Sequence, residues 1–473
     1  MGGRKEKERQ EKRGGILRRV LLGAAAAAGV SALLYLAGSF FFAGHYFWRT
    51  TIDGADVSFR SRNQVREELL NPEIFYELTI TGREELEAVL TPSELDMSYV
   101  FDDTLDRFSA GMSGWAWPQM FFSSFSCKLP KEVAFDEEKL EQALKESPLF
   151  APGNIRGPQD ARISGYESGA GYRIIPEDPG TTADFGRVKE AAKRALYDLQ
   201  ESIDLREGNF YSDARVKAAD LGLQEALKTA NRYAGAKISY RWNGETETVD
   251  GSLISTWITI EGDQVILDEE AVREYVNGLA KKHDTFGRER DFTASDGTVH
   301  RLKGSYGWWT DRAGETEALI CSIKEGEQLE KEPLYFSRGY AEGPAGKDIG
   351  SSYVEIDLGK QHLYLYIDGK RILESDLVSG NLSRGYATPP GVFGLTYKER
   401  NATLTGETYS TPVKYWMPFN GNIGMHDADW REEFGGDIYK TNGSHGCINL
   451  PEEIAEMLYG YVERGFPVVC YDD

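Results

Sequence analysis

The longest uninterrupted apolar stretch of the chain lies near its N-terminus. Residues 20–43 contain no charged side chain, and 24 residues are enough for a helix to cross a bilayer core, which takes about 20. Eight basic and three acidic residues precede this stretch, and a basic flank is typical of the end that stays in the cytoplasm. The pattern predicts a cytoplasmic basic tail, 1–19, a single transmembrane helix, 20–43, and an extracytoplasmic remainder.

A cleaved signal peptide is the alternative interpretation of this stretch. The stretch is long for a signal peptide, however, and the small residues Ala24–Ala28 lie in its middle rather than after it. The uncleaved anchor is therefore favoured, and both interpretations export the rest of the chain. Tyr46, Phe47 and Trp48 come just after the apolar stretch, where aromatic side chains often occupy the membrane interface.

Apolar positions at helical and strand spacing over 50–335 predict two α+β modules of related design. An Asp-Glu-Glu helix start at Asp136 recurs at Asp268, 132 residues later, and Tyr172 and Tyr306 lie 134 residues apart. Acidic residues are common in first helical turns, so a chance similarity of two unrelated modules is the alternative. The predicted bounds of the modules are 50–205 and 206–335.

The first module is predicted to carry an insertion. Gly82 and Gly244, which close corresponding strand patterns, lie 162 residues apart, a wider spacing than that of the other pairs. The aromatic stretch Trp115–Phe125 is the obvious candidate for the inserted segment.

The C-terminal part of the chain has a different pattern. Glycine and proline are frequent in 336–351, which predicts a linker. After it, apolar and polar positions alternate, as in Val354–Leu358 and Leu363–Ile367, and Asp368-Gly369 predicts a hairpin turn. One apolar stripe at helical spacing ends at Val462. The sequence predicts a mostly β domain with one main helix, 352–473, in a multidomain α+β chain.

Composition and charge exclude several classes of protein. With 54 Lys+Arg, 76 Asp+Glu and a net charge of −22, the chain repels phosphates, so no nucleic-acid partner is predicted. Four cysteines in 473 residues rule out a disulfide scaffold. Motifs of the C-x-x-C, H-E-x-x-H, P-loop and clean G-x-G-x-x-G types are absent from the sequence, so neither a metal nor a cofactor is predicted.

Candidate chemistry concentrates in Ser444–Cys447. A cysteine nucleophile needs a base or a cationic neighbour to form a thiolate near neutral pH. Positions two apart in extended chain share a face, so His445, Cys447 and Asn449 can point in one direction. Gly446 leaves backbone N–H groups accessible to an oxyanion. A structural cysteine beside a core histidine is the alternative for so short a string.

A second histidine, His426, lies 21 residues before Cys447 and reaches it only through folding. Spacing alone does not decide whether His426 or His445 is the base.

The residues Ser444–Asn449, with His426 separated from Ser444 by 17 residues, resemble the signature of the L,D-transpeptidase catalytic domain of the YkuD type. Five further segments also fit that domain: Tyr353–Leu358, Gln361–Tyr366, Ser379–Asn381, Thr388–Gly391 and Met417–Phe419. The resemblance covers about 352–473. More loosely, the two upstream modules resemble the peptidoglycan-binding domain that often precedes it in Gram-positive bacteria.

The resemblance implies a role for each residue of the motif. Cys447 would attack the peptide bond before the terminal D-Ala of a tetrapeptide stem, releasing D-Ala and leaving a thioester. His426 would be the general base, oriented by the backbone carbonyl of Asp427, and His445 a second histidine at the site. Amides near Gly446 would hold the oxyanion. The residues expected to bind substrate are Ser444, Asn449, Gly443 and Trp430. Trp430 is included because it lies four residues after His426, and a core tryptophan is the alternative for it.

The same resemblance implies partners and leaves alternatives open. Peptidoglycan stems would serve as donor and acceptor, and carbapenems would acylate the cysteine. Water as the acceptor would make the protein an L,D-carboxypeptidase instead. A non-catalytic peptidoglycan-binding scaffold is the alternative from another class, although it has no chemical need for the intact motif.

The remaining histidines and cysteines are predicted to take no part in catalysis. The histidines are interpreted as structural or solvated, with His283 at a solvated helix end, and the cysteines as buried, inert thiols. A disulfide between Cys127 and Cys321 is permitted outside the cell but has no support in the sequence. The residues in question are His45, His283, His300, His362, Cys127, Cys321 and Cys470.

Overall fold

The computed structural model describes residues 3–70, 74–130, 132–406 and 410–472. It divides into two compact units: the first comprises Met1–Ala161 and Pro176–Lys217, and the second Arg162–Ile175 and Ala218–Asp473. The first two residues of the predicted basic tail and the last residue of the predicted C-terminal domain lie outside the described residues.

The N-terminal apolar stretch forms a helix, as predicted. Helix α1 (Gly3–Phe42) is 40 residues long and includes the basic residues before the apolar stretch. Within the part Arg13–Phe42, the most apolar 18 residues have a mean hydropathy of 2.1, and none of them is buried in the protein. By length and composition this part of α1 is able to cross a membrane.

The rest of the first unit is built from short elements around two apolar clusters. One sheet has the strand order β2-β1-β6 and another has the order β10-β3-β4. The elements of residues 43–217 are α2 (Arg62–Leu70), α3 (Thr104–Gly111), α4 (Glu137–Glu146), α5 (Phe185–Tyr197), β1 (Thr50–Ile52), β2 (Ala55–Asp56), β3 (Leu78–Thr81), β4 (Glu87–Leu90), β5 (Ser98–Val100), β6 (Phe125–Cys127), β7 (Glu132–Ala134), β8 (Arg162–Ile163), β9 (Ile174–Ile175), β10 (Ser202–Asp204) and the 3₁₀ helices Arg83–Glu85, Gly114–Phe121 and Pro152–Asn154.

Tyr46 and Phe47 do not have the interfacial exposure that their place in the sequence suggests. Both are 1% exposed and belong to a core cluster with Phe42 and Ile52. Trp48 is 44% exposed. The chain turns into the folded unit directly at the end of α1, so these two rings pack inward.

The second unit begins with a helical and a β layer that share one core. The sheet β12-β11-β18 packs with the helices through buried side chains such as Ile238, Trp242, Val272 and Leu319. The elements of residues 218–337 are α6 (Leu221–Ala234), α7 (Gly251–Ile254), α8 (Glu269–His283), α9 (Arg312–Glu325), β11 (Lys237–Trp242), β12 (Glu245–Val249), β13 (Ile258–Glu261), β14 (Gln264–Leu267), β15 (Arg290–Thr293), β16 (Val299–Leu302), β17 (Trp309–Thr310), β18 (Gln328–Lys331), β19 (Tyr335–Ser337) and the 3₁₀ helix Ser255–Trp257.

Both Asp-Glu-Glu motifs start a helix. The Asp136 carboxylate accepts hydrogen bonds from the N–H groups of Glu138 and Lys139 at the start of α4. The Asp268 carboxylate does the same for Glu270 and Ala271 at the start of α8. Each aspartate thus satisfies amides that have no partner within the helix.

The hairpin β8–β9 belongs to the second unit, although the sequence pattern places it in the first module. Tyr172 is buried against Ala230 and Ala234 of α6. The Asn231 side chain accepts a hydrogen bond from the Tyr172 N–H at 2.8 Å and donates one to its carbonyl at 3.0 Å. These contacts involve residues about 60 apart in sequence, which a local pattern does not reveal.

The C-terminal domain is strand-rich with one main helix, as predicted. Two sheets, β22-β21-β20-β28-β23 and β24-β25-β26-β27, enclose a core that includes Ile356, Met425, Ile448 and Leu458. The elements are α10 (Ile438–Asn442), α11 (Glu452–Tyr461), β20 (Tyr353–Asp357), β21 (His362–Ile367), β22 (Lys370–Asp376), β23 (Gly391–Gly394), β24 (Glu399–Thr405), β25 (Ser410–Asn420), β26 (Ile423–Asp427), β27 (Ile448–Leu450), β28 (Pro467–Tyr471) and the 3₁₀ helices Lys347–Ile349 and Leu382–Arg384.

The glycine-rich stretch 336–351, predicted as a linker, lies within the second unit and makes buried contacts there. Asp348 has a fully buried side chain that pairs with the equally buried Arg290, at 2.7 Å and 3.1 Å. The Thr285 hydroxyl donates a further hydrogen bond to the same carboxylate at 2.6 Å. Tyr306 also donates to the Asp348 carbonyl at 2.9 Å. Glycine content therefore marks tight turns here rather than a free connection.

We expect Asp348→Asn to destabilise the second unit by about 3–5 kcal/mol, because it leaves the Arg290 charge buried without a counter-ion. Asp291→Asn is the matched control, since the Asp291–Arg301 pair is exposed and exposed pairs contribute little. Denaturant unfolding of both variants, followed by tryptophan fluorescence, measures the difference. A loss of stability in Asp348→Asn no greater than in the control would contradict this account of the buried pair.

Candidate active site

The predicted catalytic residues lie at adjoining strands of the four-stranded sheet. Strand β26 pairs in parallel with β27, so that His426 lies opposite Asn449. Cys447 immediately precedes β27, at the same edge of the sheet. The alternation of the strand buries Ile448 and Leu450 in the core, as the sequence predicts. Folding thus brings together residues that are 21 positions apart in the sequence.

The turn that carries Cys447 is fixed by hydrogen bonds within the motif. The Ser444 hydroxyl donates to the Cys447 carbonyl at 2.5 Å and accepts from the Gly446 N–H at 3.0 Å. Thr388 donates to the Gly446 carbonyl at 2.7 Å. Gly446 has a φ of +114°, and a Cβ there would lie 3.2 Å from Ile423. Glycine is therefore favoured at this position by its conformation, and a Cβ would also require the Ile423 side chain to shift slightly.

The hydrogen bonds of His426 define its neutral tautomer. Its Nδ1 lies 2.8 Å from the backbone carbonyl of Asp427, and since a carbonyl only accepts, Nδ1 carries the proton. Nε2 lies 3.0 Å from the side-chain amide of Asn449. Arg431 donates from Nε to Asn449 Oδ1 at 2.8 Å, which turns the amide N–H group toward His426. Nε2 is therefore an acceptor, as a general base must be.

Burial shifts the pKa values of His426 and Cys447 in the directions that favour the neutral form of each group. The His426 ring is 4% exposed and lies between Trp416 and Trp430, each 5.9 Å from it by ring centroids. This burial lowers the pKa of His426 below its usual value near 6.5, against the opposite effect of the Asp427 carbonyl. Burial raises the pKa of the Cys447 thiol above its usual 9.0, and a backbone hydrogen bond at Gly424 opposes the shift.

These directions predict a neutral thiol–imidazole pair at neutral pH. We expect alkylation of Cys447 by iodoacetamide to be slow at pH 7 and to rise with pH through and above 9, because only the thiolate reacts. Since burial lowers the pKa of His426, the loss of base-assisted acylation on acidification should set in below the usual imidazole value near 6.5. Peptide mapping in a Cys321→Ser background measures the alkylation rate. Fast alkylation that does not change between pH 6 and 9 would instead indicate a thiolate–imidazolium pair.

A cavity of about 210 Å³ opens onto these groups. Seven of the nine predicted site residues line it, and the other two, Asp427 and Gly446, were assigned backbone roles only. The lining residues are Leu404, Thr411, His426, Trp430, Arg431, Gly443, Ser444, His445, Cys447 and Asn449. The cavity is therefore bounded on one side by the nucleophile and on another by the base.

The individual placements refine several predicted roles. Trp430 is 49% exposed and lines the cavity. His445 is exposed and its ring lies 4.5 Å from that of Tyr386, whereas His426 is buried with an oriented Nε2. The Gly446 N–H, expected to hold an oxyanion, donates to Ser444 in this structure. Its oxyanion role stays a prediction that requires this bond to exchange.

Sequence reasoning missed several residues that shape the site. Arg431 orients Asn449, Thr388 holds Gly446, and the carbonyl of Asn422 accepts a hydrogen bond from the Cys447 thiol at 3.6 Å. Thr388 lies in one of the segments that fit the family, which was a usable signal. Nothing in the local pattern indicates Arg431, since its contact depends on how β27 pairs.

The other histidines and cysteines have structural surroundings, with two differences from expectation. His283 is buried rather than solvated, and its Nε2 lies 2.9 Å from Glu247. Glu245 completes a group that could hold a cation, but the Lys282 ammonium already pairs with both carboxylates. Cys321 is exposed rather than buried, and Cys127 and Cys321 are both free thiols.

Two family models match stretches of this chain. The YkuD family model, described as the L,D-transpeptidase catalytic domain, matches residues 351–470. A model described as "Putative peptidoglycan binding domain" matches residues 214–331. A search of curated proteins gives no match.

Three solved structures illustrate the similarity. The crystal structure of a cysteine-to-serine mutant of Enterococcus faecium L,D-transpeptidase is 39% identical, with 52% of this chain and 100% of that chain covered and a TM-score of 0.42. The Ldtfm–avibactam carbamoyl enzyme is 39% identical, with 53% and 99% covered and a TM-score of 0.43. The E. faecium catalytic domain acylated by ertapenem is 47% identical, with 26% and 97% covered and a TM-score of 0.24.

The family model covers the motif and the cavity, and the 39% sequence identity extends over the whole chain of the E. faecium L,D-transpeptidase crystal structure. This chain therefore belongs to the L,D-transpeptidase family.

Proposed function

We propose that the protein is a membrane-anchored L,D-transpeptidase that cross-links peptidoglycan through a thioester on Cys447. The observation that carries the proposal is that a buried thiol, Cys447, and an imidazole with an unprotonated Nε2, His426, line the same cavity. Because the Nε2 lone pair faces a donor rather than carrying a proton, it can accept the thiol proton when the thiol attacks.

In the acylation step, the Cys447 sulfur attacks the carbonyl that precedes the terminal D-Ala of a tetrapeptide stem. The thiol proton passes to His426 Nε2. For this transfer, Nε2 gives up its hydrogen bond with the Asn449 amide and accepts one from the S–H group. His426 then gives this proton to the nitrogen of the leaving D-Ala. A C–S bond has replaced a C–N bond, and D-Ala is released as a neutral amine.

In the second step, an amine of another stem attacks the thioester carbonyl. Its proton passes to His426 and from there to the departing sulfur, which restores the Cys447 thiol. One amide bond is exchanged for another, so no nucleotide is required. Splitting the exchange through a covalent intermediate lowers each barrier.

The oxyanion that forms in each step needs backbone donors near Cys447. The Gly446 N–H is a candidate if substrate displaces the Ser444 hydroxyl. That displacement would cost one neutral hydrogen bond, about 1 kcal/mol, which is small beside the stabilisation of a developing negative charge.

Membrane attachment places this chemistry beside its substrate. Helix α1 is long and apolar enough to span, and its basic N-terminal flank favours a cytoplasmic start. The match of 214–331 to a peptidoglycan-binding model supports a location on the wall side. The wall-binding role of the first module stays a prediction.

Purified full chain, incubated with tetrapeptide-stem muropeptides, tests the proposal by mass spectrometry of the products. We expect a cross-linked dimer that lacks one D-Ala, and none from Cys447→Ala. Tripeptide without dimer would identify an L,D-carboxypeptidase. If the folded protein binds sacculi but turns over no muropeptide, only the non-catalytic peptidoglycan-binding scaffold would remain as an interpretation.

Acylation by a carbapenem gives an independent test of the same site. The E. faecium relative is acylated by ertapenem, and we propose that ertapenem acylates this chain at Cys447. Intact-mass and peptide-mapping measurements should place one adduct on that cysteine in wild type. An adduct on Cys321, or the same adduct in Cys447→Ala, would contradict the proposed nucleophile.

A further inference from the structure

We infer that the aromatic segment Gly114–Phe122 of the first unit is inserted into the outer leaflet of the membrane beside α1. The ligand is the acyl chain and headgroup boundary of a phospholipid bilayer. The inference rests on the membrane anchor in the proposed function. It assigns a second, non-spanning membrane contact to the inserted segment that the sequence pattern marks in the first module.

The segment is held directly against the outer end of α1. Tyr35 donates its hydroxyl to the Trp115 carbonyl at 2.8 Å, and the Trp117 indole N–H donates to the Tyr35 carbonyl at 3.1 Å. A Cβ on Gly38 would lie 2.6 Å from the Trp117 ring, and one on Gly114 would lie 2.4 Å from a backbone oxygen of α1. Glycine on both sides lets helix and segment approach closely.

The depth of the segment in the membrane follows from the part of α1 that the segment contacts. The contacts run from Tyr35 to Phe42, and seven residues of α-helix span about 10 Å along the axis. Segments that lie in the membrane interface are buried about 5–10 Å into it. If the apolar part of α1 spans the bilayer, its last turns and this segment lie at that depth.

The outward face of the segment has the chemistry of an interfacial segment. Trp115 is 62% exposed, Phe121 54% and Phe122 89%, while Met120 is 6% exposed and faces the core. Residues 108–127 contain no charged side chain, in a chain with a net charge of −22. Exposed aromatic side chains of this kind are typical of membrane interfaces.

Continuity with α1 favours lipid over a protein partner as the occupant. Phe40 is 88% and Phe41 43% exposed at the end of the same helix, so the exposed apolar surface of α1 extends to the turns of the helix that the segment contacts. Phe42 lies in the core cluster of the first unit. Removal of α1 by a signal peptidase would break all of these contacts, so the inference also favours the uncleaved anchor.

Nitroxide labels on the full chain in phospholipid nanodiscs test the inference. In a Cys321→Ser/Cys447→Ala background, single labels are placed at Phe122→Cys, at Leu33→Cys on α1, and at Phe75→Cys. Phe75 is the matched control, because it is also a phenylalanine of the first unit and also 89% exposed. Collision rates with oxygen, which partitions into lipid, and with a water-soluble nickel chelate are measured at each label.

We expect the oxygen-to-nickel collision ratio at Phe122 to be severalfold higher than at Phe75 but lower than at Leu33, which lies near the middle of the apolar stretch 20–43. A water-like ratio at Phe122 with a lipid-like ratio at Leu33 would overturn the inference and leave the anchor standing. A water-like ratio at Leu33 would overturn both the inference and the membrane anchor. Protection from oxygen and nickel alike at Phe122 would indicate a protein contact, and a lipid-like ratio at Phe75 would show that insertion is not confined to this segment; either result overturns the inference.

Discussion

Replacing Cys447 with alanine is expected to abolish D-Ala release and cross-linking, with a loss of about 10⁴-fold or more. Alanine removes the sulfur that would form the thioester, while the cavity and the base remain. The thiol is buried beside Trp416, so its loss leaves a small void, and we expect the fold to persist at a cost of about 1 kcal/mol. Turnover of tetrapeptide muropeptides, with unfolding curves for both proteins, measures the two effects.

Cys321→Ala is the matched control for this prediction. It makes the same substitution in the same unit, at a cysteine that is exposed and distant in sequence from the motif. Its activity should equal that of wild type. Retention of more than a few per cent of activity in Cys447→Ala, at equal stability, would assign the nucleophile elsewhere.

Replacing His426 with glutamine is expected to slow acylation by about 10²–10⁴-fold, the usual contribution of a general base. Glutamine still offers hydrogen bonds to Asp427 and Asn449 but cannot take up the thiol proton at neutral pH. The loss should shrink as pH rises above 9, since the pKa of Cys447 is raised and free hydroxide then forms the thiolate. The pH dependence of the carbapenem acylation rate measures this recovery.

His445→Gln separates the two histidines, a choice that spacing in the sequence leaves open. His445 is exposed and contacts Tyr386, so its substitution should change substrate affinity more than the acylation step. A larger loss in His445→Gln than in His426→Gln would contradict the assignment of the base. An equal recovery of the acylation rate at alkaline pH in both variants would also contradict this assignment.

The sequence indicates which residues meet at this site because the motif consists of residue types at fixed intervals. The motif interval places His426 and Cys447 at one cavity, and strand alternation places Ile448 and Leu450 in the core. The capping aspartates Asp136 and Asp268 also act locally, within three residues. Local rules of this kind can be read from a single chain.

The remaining features depend on contacts between distant residues. Arg431 reaches Asn449 only because β26 and β27 pair in parallel. Tyr172 joins the second unit through Asn231, 59 positions away. The stretch 336–351 is anchored by the buried Arg290–Asp348 pair, which its glycine content conceals. Hydrophobic periodicity carries no information on such pairings.

The most direct test of the account is to isolate the acyl-enzyme. Full chain is mixed with a tetrapeptide-stem donor that has no acceptor amine, quenched in acid, digested and analysed by mass spectrometry. The account predicts that the peptide containing Cys447 gains the mass of the donor without its terminal D-Ala, through a bond that hydroxylamine cleaves. Release of D-Ala without an adduct on Cys447, or with the adduct on another residue, would contradict it.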